Sequence, residues 1–231
     1  MLLGENIVTS RNWVKFFIST LLLGGLTTGI VGFIVRWSEF KPFFTDFNLV
    51  EIVAILFWLL GVGFIFSLLS QAGFFAYLTI HRFGLGIFKT AKLWNTVQLV
   101  LIAVVLFDLV YLRYEVFAEE SESLLPYIGL ALLVFIPGLV VAYFKSQQTN
   151  KTTFIPALFF MVVATVIEWI PILRANEQSW VYLMIFPLLV CNAYQLLMLP
   201  KYNEKSLKER ESFERRMKEK SNKVKQKPSN A

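Results

Sequence analysis

Between residues 52 and 80 the chain runs for 29 residues without a single charged side chain. An α-helix rises 1.5 Å per residue, so about 20 mostly apolar residues cross the ~30 Å hydrocarbon core of a bilayer. Six stretches meet that length: 16–35, 52–80, 93–112, 124–144, 152–173 and 180–199. Alternation with a period of two is absent from them, which argues against a β-barrel. The expectation is an all-α polytopic membrane protein, a six-transmembrane-helix bundle over residues 1–200 followed by a charged cytoplasmic C-terminal tail over 201–231. The second span exceeds the thickness of the slab and must tilt or protrude.

Charge sharpens this division. The last 31 residues hold 16 of the 38 Asp, Glu, Lys and Arg residues, and their eleven Lys/Arg against five acids account for the whole formal charge of +6. The body is neutral, so the basic balance is no argument for nucleic acid. One histidine and one cysteine (Cys191) exclude a His/Cys metal cluster and an intrachain disulfide.

Lysine and arginine also predict orientation, because cytoplasmic loops carry their excess. The N-terminal segment, the loops 81–92 and 145–151, and the tail hold eighteen Lys/Arg; the alternate loops 36–51, 113–123 and 174–179 hold four. Both termini are therefore expected in the cytoplasm. The first span is read as an uncleaved anchor, since no small-residue cleavage pattern follows it.

The spans also hold polar groups. Asp108 and Glu168 are expected ~6–8 Å below the outer boundary by helical rise, where a carboxylate is costly. They are candidate intramembrane acids, either paired structurally with Arg113, Arg174 or Arg36, or serving as an ion- or signal-sensing site. In LLLGGLTTGIVG, Gly25 and Gly29 form a GxxxG, and Gly24, Thr28 and Gly32 form a parallel small-residue ridge suited to close helix packing. Gly61, Gly63, Ser67, Gln71 and Gly73 give the second span a similar character. Asn95, Gln98, Asn192 and Gln195 are expected to hydrogen-bond between helices. In the tail, Glu204–Lys208, Glu211–Arg215 and Glu214–Lys218 have the spacing of a solvated helix, with disorder expected beyond Lys220. So basic a segment also suits anionic lipid headgroups.

HRFGLGIFKTAKLWN, from His81, joins the second and third spans. Its Gly-Leu-Gly follows no strand and so is not a nucleotide fingerprint. Two readings stand: a topology-setting hinge, or a partner contact through His81, Arg82, Gly84, Gly86, Lys89 and Lys92. In the second reading the glycines supply a turn with positive φ.

SRNWVKFFISTLLLGGLTTGIVGFIVRW and QAGFFAYLTIHRFGLGIFKTAKLWN, within the six-span layout, resemble the KinB-signalling pathway activation protein family, KbaA. The likeness covers about residues 9–200 and leaves out the tail. It implies a multi-pass protein of the bacterial cell membrane in spore formers. Its implied partner is a membrane sensor histidine kinase, KinB, that feeds the sporulation phosphorelay. The resemblance brings no catalytic residues or cofactor. The residues agree: there is no phosphate loop, kinase motif or Ser/His/Asp arrangement. The competing expectation is a small transporter or channel using Asp108 and Glu168.

Overall fold

The computed structural model describes residues 9–119 and 122–225, with side chains through Lys218. It is all-α, with no strand among the described residues. The helices are α1 (Ser10–Val35), α2 (Trp37–Thr45), α3 (Leu49–Phe88), α4 (Ala91–Phe117), α5 (Leu125–Gln148), α6 (Lys151–Ala175) and α7 (Gln178–Lys225). All but α2 are long and apolar enough to cross a membrane.

Local chemistry sets the helix ends. The Asn48 side chain accepts from the Glu51 N–H at 3.4 Å and starts α3. Thr90 Oγ1 does the same for α4 through the Leu93 N–H at 3.3 Å, the usual work of an N-cap. Between them Lys89 adopts φ 55°, a left-handed stop that closes α3. Pro126 occupies the first turn of α5, where its missing N–H costs nothing. Asn176, at φ 53°, ends α6.

Two regions differ from the sequence expectation. Residues 81–88 are helical, so α3 is 40 residues long and at 1.5 Å per residue reaches ~60 Å. The connection to α4 is only Lys89 and Thr90, and no glycine among the described residues has positive φ. Gly84 and Gly86 are therefore helical rather than turn-forming. The segment 36–51, expected as a loop, contains α2. Phe40 and Phe44 lie one helical turn apart and both meet Phe33, with ring centroids 5.7 and 5.6 Å away. Arg36 and Glu39 close the first turn at 2.8 Å.

The chain divides into two compact units, one of Ser19–Leu197 and one of Met1–Ile18 with Met198–Ala231. Helices α6 and α7 are the most enclosed, each with 61% of its most apolar stretch buried, against 22% in α3 and in α4. Much of the rest is outward-facing hydrocarbon, including Ile30, Ile34, Phe57, Val100, Val104 and Ile136. A soluble monomer rarely exposes apolar patches of such extent; a bilayer would cover them.

In the smaller unit the first turns of α1 meet the second half of α7. Arg11 Nη2 lies 2.9 Å from Glu209 Oε1, and the buried Asn12 donates to Ser206 Oγ at 2.8 Å and to Glu209 Oε2 at 3.1 Å. The Phe16 and Tyr202 rings meet edge to face at 5.2 Å. The segment after Lys201 is thus partly docked. Of its expected pairs, Glu204–Lys208 forms at 2.6 Å, whereas Glu214 takes Arg210 at 3.3 Å. Helix continues through 221–225, and the disorder expected beyond Lys220 otherwise falls outside the described residues.

Candidate functional site

The small-residue ridge of α1 lies on α3. A Cβ built on Gly24 would come 2.6 Å from Ser67 Cβ, and one on Gly32 would come 2.3 Å from Leu59 Cδ2. On the facing helix, a Cβ on Gly63 would meet the Gly24 carbonyl at 2.7 Å. The two backbones therefore touch where neither helix carries a side chain, the geometry small residues permit. Gly25 faces the Phe64 ring, and Gly29 faces Leu56 and Leu60 at ordinary contact distance. Thr28 turns its hydroxyl back to the Gly24 carbonyl at 2.9 Å, and Ser67 donates across the interface to the Thr20 carbonyl at 2.9 Å.

From Ser67 a polar network runs through the interior of the larger unit. Asn192 is its hub: its oxygen accepts from Ser70 at 2.6 Å, and its amide donates to Thr165 Oγ1 at 2.9 Å and Glu168 Oε2 at 2.8 Å. Gln195 donates to Ser70 at 2.7 Å, and Gln71 to Ser67 at 3.3 Å. These groups come from α3, α6 and α7, spaced three or four residues apart on each helix, so each set lies on one face. Glu168 is 5% exposed. Its Oε1 has no hydrogen-bond partner and occupies the space beside Gly73, where a Cβ would approach it to 1.8 Å. A π turn at Phe160–Ala164 immediately precedes Thr165. Its extra residue rotates the remainder of α6 by roughly 100°, at 3.6 residues per turn.

Asp108 has other surroundings. It is exposed, in a groove with Leu109, Ile170 and Arg174, while Glu168 is turned toward Asn192 and Gly73. The expected acid–arginine pairs are not formed among the described residues. Arg113 instead donates to the Leu173 carbonyl and to Asn176 Oδ1, both at 2.5 Å. It serves the C-terminal end of α6, whose last carbonyls lack helical partners. Arg36 pairs with Glu39 and lies over the Trp58 and Trp180 rings at 5.6 and 5.5 Å. Arg113 and Arg36 have each found a nearer acceptor.

At the α3–α4 turn, Trp94 is the organising side chain. Its indole N–H donates to His81 Nδ1 at 3.0 Å, and its ring stacks on Phe88 at 5.4 Å. Gly84 gives it room, since a Cβ there would come 2.4 Å from the ring. Arg82, Gly86, Lys89 and Lys92 are exposed around this fixed point, Gly84 is buried and His81 half-buried. The turn is held by Trp94 and basic.

Sequence reasoning picked out Glu168, Asn192, Gln195, Ser67, Gln71 and Gly73 separately. It missed Ser70, Thr165 and Trp94, and it did not join the acid to the amide. The available signal was spacing: Ser67-Ser70-Gln71, Thr165-Glu168 and Asn192-Gln195 each put polar groups on a single helical face. Gln98, expected to bond between helices, is buried with neither side-chain polar atom partnered. Among the described residues no cluster of His, Cys, Asp and Glu could hold a metal ion.

The KinB-signaling pathway activation protein of Bacillus subtilis (strain 168) is 50% identical to this chain over 196 residues, which is 85% of this chain and 99% of that protein. No solved structure matches. The family KbaA, described as KinB-signalling pathway activation in sporulation, matches residues 24–202. That interval contains the small-residue ridge, the whole Glu168–Asn192 network and the basic turn, and the chain belongs to this family.

Proposed function

We propose that this protein is a non-catalytic, multi-pass accessory of the bacterial cell membrane that promotes signalling by a KinB-type sensor histidine kinase. In this reading the α3–α4 turn is the surface offered to the kinase. The observation that carries the proposal is the identity over nearly the whole of a relative named for activation of KinB signalling. The exposed Arg82, Lys89 and Lys92 around the Trp94-held turn support its choice as the contact surface. An accessory of this kind acts by binding the active state of its kinase more tightly than the inactive one.

The excess of Lys and Arg in alternate connections supports a cytoplasmic position for the turn and both chain ends, with the basic tail near anionic headgroups. The transporter alternative needs Asp108 and Glu168 to act together, and their separate surroundings favour the accessory reading. Single replacement of Arg82, Lys89 and Lys92 by Ala tests the turn. Phosphorelay output should fall while membrane protein level stays constant. Wild-type output in all three variants would remove the turn from the contact surface.

A further inference from the structure

The end of the larger unit away from the basic turn holds a cavity that the signalling reading does not use. It lies about 40 Å along α4 from Thr90, by the rise of a 27-residue helix. The end of α4, the start of α5, and the α6–α7 connection line an open cavity of about 450 Å³, within the size range of small-molecule sites. Its lining is mainly polar. Arg113, Glu119, Glu122, Tyr127, Asn176 and Tyr182 all contribute.

The charges in this lining are unusual. Arg113 is 9% exposed, yet no carboxylate lies within ion-pair distance of it among the described residues. Its two bonds go to a carbonyl and an amide oxygen, both neutral, and its guanidinium lies 5.0 Å from the centre of the Phe117 ring, which is also uncharged. A buried cation without a counter-charge is costly. On the same cavity lie two acids that pair with no cation among the described residues. Glu122 accepts from the Tyr127 hydroxyl at 3.2 Å and from the Glu119 N–H at 3.4 Å, which holds its carboxylate in the lining.

A simple anion would be attracted by Arg113 and repelled by two carboxylates. A simple cation would meet the reverse conflict at Arg113. A molecule that carries both charges satisfies both ends. The geometry points to a binding site for a zwitterionic α-amino acid or short peptide, its carboxylate toward Arg113 and its ammonium toward Glu119 and Glu122. The Tyr127 and Tyr182 rings give the remainder of such a ligand an aromatic wall.

The site is tested on the purified full-length protein in lipid nanodiscs, with no kinase present, so its failure is separate from failure of the signalling reading. The probes are the standard free amino acids, diglycine and dialanine, each beside its N-acetylated and C-amidated form, measured by calorimetry. Saturable binding of at least one zwitterion, lost on acetylation or amidation, is the expected result. Because Arg113 also ties down the end of α6, the deciding variants are Glu119→Gln and Glu122→Gln near the cavity mouth. Together they should weaken binding by at least about tenfold while the melting temperature without ligand is unchanged. No binding up to about 10 mM, equal binding of the blocked compounds, or unaltered affinity in the Gln variants would each overturn the assignment.

Discussion

Adding one methyl group at Gly73 tests whether the Glu168 carboxyl is built into the interior by a vacancy on α3. A Cβ there would sit 1.8 Å from Oε1 and 2.7 Å from Cδ of Glu168, far inside contact distance. The carboxyl must swing away, and the 2.8 Å bond from Asn192 breaks with it. Losing that bond leaves buried polar groups unpaired, at about 1–3 kcal/mol, and forced overpacking costs about 1–3 kcal/mol. Helix propensity returns about 0.5–1 kcal/mol on replacing Gly by Ala. Gly73→Ala should therefore destabilise by about 1.5–5 kcal/mol, the sum of those terms. In a Glu168→Ala background the clash is gone, and the same substitution should cost under about 0.5 kcal/mol. The two-residue coupling of at least about 1 kcal/mol is above the scatter of independent sites. Reversible unfolding in mixed micelles of the four proteins reads this directly. Equal loss from Gly73→Ala in both backgrounds would refute the packing argument.

Gly63→Ala, which drives a Cβ to 2.7 Å from the Gly24 carbonyl, should lower abundance and unfolding temperature, whereas Gly61→Ala, with nothing within 4 Å, should not. Gly84→Ala should loosen the α3–α4 turn by displacing Trp94, seen as a changed indole fluorescence maximum and reduced signalling, while Gly86→Ala faces open space and should behave as wild type. Trp94→Phe keeps the stacking with Phe88 but loses the bond to His81, and a cost of about 1 kcal/mol is expected in the same unfolding assay. Asn12→Ala removes the buried donor to Ser206 and Glu209; limited proteolysis should then cut between residues 202 and 215 several times faster, as local opening becomes easier.

The six apolar helices were legible in the sequence because an uncharged run of twenty residues has few other uses. Their ends were less so. Residues 81–88 read as a loop because Gly84 and Gly86 are ordinarily helix breakers, but Gly84 is needed for the Trp94 ring and neither glycine turns the chain. Only the tertiary contact explains the residue. The short helix α2 was hidden by length, since nine residues with Phe40 and Phe44 on one face are stabilised by Phe33 and not by intrinsic propensity. The arginines misled for a related reason: a guanidinium near a helix end can take free carbonyls, as Arg113 does at Leu173, without any acid. Glu168 and Asn192 stood out as polar groups in apolar runs, but their partnership depends on how α6 and α7 are rotated. The π turn at Phe160–Ala164 contributes to that rotation, and no residue in FMVVA announces it.

Whether this protein works through a KinB-type kinase is read most directly by genetic epistasis. Phosphorelay output is measured with and without the protein in two strains, one whose sole input is the KinB-type kinase and one whose sole input is a different kinase. Loss of output on deletion in the first strain, with none in the second, is the predicted result. Equal loss in both strains, or loss in neither, would contradict it.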